Sequence, residues 1–266
     1  MTREINYQKA NEYWNKNLSQ GEVGRFASGF VMPAELEDLA FYRFKEELYF
    51  LEKHGVFEGN YMDIGCGAGN LLCEWHSRFS NLIGIDFSES LVKIGRKQCQ
   101  GFKNVNIFED NALNFKKYIK NQKLNFIFVG GCFMYLEDKD VSYLIKNLLL
   151  TLEENGVLIF REPTASKKRI YKEKVGVRRT IEEYKGLIGL NDGGYSLKIY
   201  QNNSVNYTQI IALYFELFPF LKNKVHFFEN PIIEFFTLFL PLRAYSKLKR
   251  NMALYHFFVI ERTQRT

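Results

Sequence analysis

Three observations predict an α/β fold built on a parallel sheet. Short apolar runs alternate with helical stretches from residue 60 to residue 162, the pattern of successive βαβ units. The first run, "YMDIG", is followed at once by glycines at 65, 67 and 69. The chain has 266 residues, 46% of them hydrophobic, enough for one large domain with a full core.

The elements follow in order. Residues 6–30 read as a short helix and a glycine-containing loop. Residues 33–54 read as a long amphipathic helix. Pro33 suits its first turn, Glu35, Glu37 and Asp38 suit the positive end of its dipole, and Gly55 stops it. Leu36, Leu39, Ala40, Phe44, Leu48 and Leu51 recur along it at helical spacing. Strands are expected at 61–65, 81–86, 105–110, 124–130 and 156–162, with helices at 70–78, 89–99, 112–121 and 139–153. Thr180-x-x-Glu183 is a capping box that opens a further helix to about residue 189. "YSLKIYQ" (195–201) and "LYHFFVIER" (254–262) read as two last strands. Between them, residues 205–250 hold eleven aromatic residues in 46, a higher density than the 16% of the whole chain. Charges at Glu216, Lys222, Lys224, Glu229 and Glu234 break that stretch, so it reads as a helical insertion and not a membrane span.

The polar opening "MTREINYQKANEYWNKN" has no apolar signal-peptide core, and a cytoplasmic location is expected. Cys66, Cys73, Cys99 and Cys132 form no C-x-x-C pair, so four reduced thiols are expected, with neither a disulfide frame nor a metal site. The formal net charge is +6. Between Arg161 and Arg179 stand eight cations (Arg161, Lys167, Lys168, Arg169, Lys172, Lys174, Arg178, Arg179) and two anions, Glu162 and Glu173, so this one strip carries an excess of +6. A local cluster can act on an anionic ligand as a diffuse excess cannot.

The glycine spacing separates two cofactor readings. A dinucleotide fingerprint, G-x-G-x-x-G, requires glycine at 70, which is Asn70. The pattern here is Asp63-x-Gly65-x-Gly67-x-Gly69. It resembles the first motif of class I S-adenosylmethionine-dependent methyltransferases, of the small-molecule type. "IGIDFSES", "FEDNALNF", "FIFVGGCFMYLED" and "LLLTLEENGVLIF" are similar to that family's later motifs in the same order. The resemblance covers about residues 55–200 and the last strand. It implies a Rossmann-like doubly wound sheet of seven strands, the last antiparallel. With it come a methyltransferase domain (55–204 and 251–266), an N-terminal helical cap (1–54) and the helical insertion (205–250).

It also implies S-adenosylmethionine as cofactor and roles for particular residues. Gly65, Gly67 and Gly69 leave room for the cofactor's amino-acid moiety, and Asp63 bonds to its ammonium group. Asp86 takes the ribose hydroxyls, Asp110 and the Asn111 N–H meet the adenine, and Gly130 with Gly131 lets backbone approach the ammonium.

The transfer is an in-line displacement that an alcohol acceptor can undergo only with a base. Tyr135, Glu162 and His226 are the candidate catalytic residues. Tyr13, Arg161 and Arg178 are the candidate acceptor-binding residues. Tyr7, Trp14, Arg25 and Phe26 are further candidates to line the cap. His54, His76 and His256 have no expected role.

The strip after the fifth strand favours a phosphorylated or otherwise anionic small acceptor, with oxygen as target and a bacterial surface-glycan building block as the specific expectation. N-methylation of an amino sugar or of a lipid-linked acceptor is the alternative, and a non-catalytic cofactor-binding partner subunit is a third. No Asn-Pro-Pro-Tyr, Asp-Pro-Pro-Tyr or Pro-Cys signature follows the fourth strand, and the strip has no interleaved aromatic residue beyond Tyr171, so a nucleic-acid substrate is disfavoured. The aromatic insertion is expected to cover the acceptor pocket, to contact a membrane surface or to join a homodimer.

Overall fold

Period-2 alternation explains how each apolar run serves both faces of one sheet. In the computed structural model, which describes residues 5–18, 37–172, 175–190, 194–201 and 254–263, the strands are β1 (Asn60–Ile64), β2 (Asn81–Asp86), β3 (Val105–Glu109), β4 (Leu124–Gly130), β5 (Leu152–Ala165), β6 (Ile170–Lys172), β7 (Gly176–Thr180), β8 (Tyr195–Gln201) and β9 (Leu254–Arg262). Neighbouring residues point to opposite faces. Met62, Ile127, Leu158, Phe160 and Phe258 pack on one side, and Tyr61, Phe126, Phe128, Ile159 and Phe257 on the other.

Helices cover both faces, so the fold is doubly wound. On the second face lie α2 (Glu37–His54), α3 (Asn70–Glu74) and α4 (Glu89–Gln98). On the first lie α5 (Lys116–Ile119), α6 (Asp138–Thr151) and α7 (Ile181–Ile188). An N-terminal helix, α1 (Tyr7–Leu18), completes the described set. The capping box forms: Thr180 Oγ1 accepts from Glu183 N–H, Glu183 accepts from Thr180 N–H, and Gly189 ends α7 at φ 58°.

Seven strands run in the order β3-β2-β1-β4-β5-β9-β8, with β9 antiparallel to both neighbours. The expected doubly wound sheet with an antiparallel last strand is therefore present. The structure adds a hairpin, β6–β7, whose second strand runs parallel to the end of β5 at Thr164 and Ala165. The sequence reading missed it because its residues belong to the basic strip and lack an apolar run. The expected helix over 112–121 is instead a 3-10 turn, Ala112–Asn114, followed by the single turn of α5, which ends at the left-handed Lys120 and Asn121.

The expectation of four reduced thiols is overturned. Cys73 and Cys99 form a disulfide, with Cα atoms 5.5 Å apart. Helices α3 and α4 pack on the same face of the sheet and bring the two together, which a sequence separation of 26 residues conceals. Cys66 and Cys132 are free. Among the described residues, no helix is long and apolar enough to cross a membrane.

Candidate functional site

The glycine loop joins β1 to α3 and is held against β2. Gly65, Gly67 and Gly69 have φ of 74°, 54° and 74°, a region that residues with a Cβ enter only under strain. Gly65 and Cys66 both donate from their N–H groups to Ile85 O, at 2.8 and 3.2 Å. Gly67 N–H donates to Asp86 Oδ2 at 2.9 Å, and Ser88 N–H donates to Asp86 Oδ1 at 2.9 Å. Asp86 thus fastens the loop to the end of β2. Burial raises its pKa, and the backbone N–H groups on the carboxylate act against that rise. A Cβ on Gly65 would stand 3.3 Å from Cys132 Cβ and 3.6 Å from Gly130 O, so the loop borders the end of β4. Asp63 is buried behind the loop; burial, then the Glu47 and Asp86 charges, raise its pKa, and Arg161 opposes them.

Asp110 and Asn111 follow β3 at the same sheet edge. Tyr118 Oη, Asn114 Nδ2, Lys117 Nζ and Asn111 N–H all donate to the Asp110 carboxylate. These bonds, led by the one from Tyr118, lower its pKa to about 2. The Asn111 N–H expected to meet an adenine ring is directed at Asp110 at 2.7 Å, and Asn111 Oδ1 accepts from Leu113 N–H.

On the far side of the loop, the end of β4 meets β5. Gly130 is in register with Arg161, and Gly131 N–H donates to Arg161 O. Glu162 points to the opposite face from Arg161. It is fully buried and accepts from Phe133 N–H at 2.7 Å and Met134 N–H at 3.1 Å. Burial pushes its pKa up to about 7, while those N–H groups and the guanidiniums of Arg179 and Arg161 hold it down. Tyr135 closes the 3-10 turn Phe133–Tyr135 and meets Trp14 of α1 edge to face, with ring centroids 5.9 Å apart.

Helix α1 passes across this edge. Tyr7 Oη donates to Asp140 and accepts from Glu137 N–H, both near the start of α6. At its other end Ser88 Oγ donates to Asn15 Oδ1 at 2.9 Å, at the start of α4. The helix therefore reaches from the β4 side of the edge to the β2 side.

The basic strip does not survive as one surface. Arg161 is 3% exposed, and its Nη1 lies 2.9 Å from Glu47 Oε2, so it does not stand at an open pocket mouth. Arg179 is fully buried; it donates to Asp138 Oδ1 and to the carbonyls of Phe133 and Leu136. Arg169 bridges Asp138 and Glu183 at 2.7 and 2.9 Å. Arg178 is half-buried within electrostatic reach of Tyr135 and Tyr255. Lys167 and Lys168 are exposed. Among the described residues, Arg161 turns to Glu47, Arg169 and Arg179 converge on Asp138, and Lys167 and Lys168 stay exposed, so a cluster of charge in the sequence divides between a buried pair, a shared network and solvent.

His226, Arg25, Phe26, Lys174, the insertion at 205–250 and the side chain of Tyr13 lie outside the described residues. Sequence reasoning passed over two groups. Glu47 of α2 is 4% exposed; its signal was its position among Phe44, Leu48 and Leu51 on one helical stripe. His256 is the register partner of Glu162 across β5–β9, is buried, and hydrogen-bonds Thr164 Oγ1 through Nδ1 at 2.8 Å. It could be found only from the antiparallel register.

A doubly wound sheet with this strand order, carrying a glycine loop between β1 and β2, defines the class I S-adenosylmethionine-dependent methyltransferase fold, and residues 62–156 match the family model of a methyltransferase domain. The chain is 26% identical over 151 residues to phosphoethanolamine N-methyltransferase 3 of Arabidopsis thaliana, a match covering 56% of this chain and 29% of that protein. It is 30% identical over 119 residues to the carboxy-S-adenosyl-L-methionine synthase of Wolinella succinogenes, covering 42% of this chain and 48% of the relative. The chain thus spans less than half the length of either relative. A phosphoethanolamine N-methyltransferase 1 of Haemonchus contortus, solved with phosphoethanolamine and S-adenosylhomocysteine, superimposes with a TM-score of 0.60 at 14% identity, covering 100% of this chain and 51% of that one. That likeness is one of fold.

Proposed function

We propose that this chain binds S-adenosylmethionine at the Gly65–Gly69 loop and transfers its methyl group to a small anionic acceptor. The loop carries the reading. Three glycines at positive φ, anchored on Ile85 O and Asp86, present backbone at the carboxyl ends of β1 and β2. The residues fit the cofactor. Gly65 leaves open the space a Cβ would fill, Asp63 and Asp86 are buried acids beside it, and the matched relatives are named for methyl transfer or for carboxy-S-adenosylmethionine synthesis. When bound, the cofactor supplies a methyl group on an electrophilic sulfonium.

The chain's own residues position and exclude. Helix α1, tied down at Tyr7, Trp14 and Asn15, acts as the cap that keeps water from the edge. Glu162, with its pKa pushed up to about 7, exchanges a proton in the neutral range and is the proposed base, held by the N–H groups of Phe133 and Met134 in the turn that Tyr135 closes. Arg178, near Tyr135, is the proposed contact for the acceptor's negative charge. In the finer reading the target is oxygen on a phosphorylated or sugar-linked building block of a surface glycan. A second reading, transfer to the nitrogen of a phosphorylated amine, has support in the relatives named phosphoethanolamine N-methyltransferase.

The test is calorimetry with S-adenosylhomocysteine and NAD, followed by turnover with phosphoethanolamine and with phosphorylated sugars. S-adenosylhomocysteine should bind and NAD should not. Methylated product from a phosphorylated sugar supports the oxygen reading, and product from phosphoethanolamine alone replaces it with the nitrogen reading. Tight NAD binding without S-adenosylhomocysteine binding overturns both.

A further inference from the structure

Helix α2 carries one anion on its apolar stripe. Phe44, Leu48 and Leu51 recur at i, i+4 and i+7 and are buried; Glu47, at i+3, is buried with them. A carboxylate in such a place needs a cation. Its cation is Arg161 of β5, with Nη1 2.9 Å from Glu47 Oε2 and both side chains at most 5% exposed. The two are close, but the N–H directions do not meet: neither Nε nor Nη1 of Arg161 makes a hydrogen bond. Buried donors left unused in this way are costly unless something else satisfies them.

They face a cleft. Arg161, Glu47 and Asp63 line it together with Gly65, Asn70 and Gly130. Asn70 Nδ2 is a second buried donor there with no hydrogen-bond partner. The cleft thus sets unused cationic and amide donors from Arg161 and Asn70 beside a buried acid, Asp63, with bare glycine backbone between them, while the other acid, Glu47, is taken up by Arg161. That is the complement of an α-amino acid, whose carboxylate needs donors and whose ammonium group needs acids.

We infer that Arg161 and Asn70 bind the carboxylate at the amino-acid end of the sulfonium cofactor, with Glu47 orienting the Arg161 guanidinium from behind. This deepens the cofactor reading proposed above and rests on it. It also moves Arg161 from acceptor recognition to cofactor recognition. Arg161 and Glu162 alternate on β5, so the first faces this cleft and the second the opposite side of the sheet.

The test uses two probes that differ only by the carboxylate: S-adenosylhomocysteine and its decarboxylated counterpart, S-adenosyl-3-thiopropylamine, each titrated calorimetrically. The wild-type chain should prefer S-adenosylhomocysteine by about 10- to 100-fold, the effect of a charge-assisted contact. Asn70→Ala should lower that preference several-fold. Arg161→Met combined with Glu47→Gln, which removes both partners so that no lone buried charge remains, should abolish it. Affinity for the decarboxylated probe should stay within about threefold of wild type. Equal weakening of both probes, or an intact preference in the double variant, overturns the assignment while leaving the cofactor reading standing. If the wild-type chain binds neither probe, the cofactor reading falls and this inference falls with it.

Discussion

Two regions of this molecule treat their sequence differently. Between Asp63 and Ser88 the functional groups are brought together by backbone: glycine φ values, N–H groups on Ile85 O, and Asp86 holding Gly67 and Ser88. Between Arg161 and Thr180 they are dispersed by side chains. The cations, clustered in the sequence, divide among Glu47, an Asp138 shared by Arg169 and Arg179, Glu183, backbone carbonyls and solvent. A motif made of backbone geometry keeps its meaning wherever the chain folds. A motif made of charge takes its meaning from what each side chain meets.

The largest expected effect tests the structural role of the strip. Arg179→Ala leaves the buried carbonyls of Phe133 and Leu136 without their donor and Asp138 with Arg169 alone, so it should cost about 2–4 kcal/mol of stability. Denaturant unfolding measures this. A loss under 1 kcal/mol would return Arg179 to the pool of ligand-binding cations and undo the contrast.

Next comes the loop. Asp86→Ala should weaken S-adenosylhomocysteine binding by about 1–3 kcal/mol, because Gly67 and Ser88 lose their shared acceptor along with any ligand hydroxyl. An unchanged dissociation constant in calorimetry would take Asp86 out of the site.

A smaller effect concerns the pair that only the register joins. Burial raises the folded-state pKa of Glu162 to about 7, so between 4.5 and 7 the folded chain binds more protons and stability falls as pH rises. Burial lowers that of His256 to about 4, so between 4 and 6.5 the unfolded chain binds more protons and stability rises with pH. The two slopes oppose each other from pH 4.5 to 6.5. Relative to wild type, Glu162→Gln should expose the rising slope and His256→Gln the falling one, each up to about 1.4 kcal/mol per pH unit. Urea titrations across that range check both signs, and parallel profiles for the two variants would refute the opposed shifts.

The smallest effect belongs to Lys167 and Lys168. Both are exposed, and replacing them with alanine should change stability by less than about 0.5 kcal/mol. The Michaelis constant for the acceptor should change by no more than about twofold. A large rise in that constant at low salt would restore the strip as an anion-steering surface.

The sequence by itself determined the elements governed by local rules. Short apolar runs define seven strands, a capping box opens α7 at Thr180, and three closely spaced glycines after an apolar run define a loop that needs positive φ. Each depends on residues within a few positions of one another, so no distant contact can alter it. Tertiary structure alone decided the β6–β7 hairpin, the Cys73–Cys99 disulfide, the burial of Glu47 against Arg161 and the register of His256 with Glu162. Those depend on which elements stack on which face of the sheet. Partners separated by 26, 114 and 94 positions leave no periodic mark on the chain that brings them together.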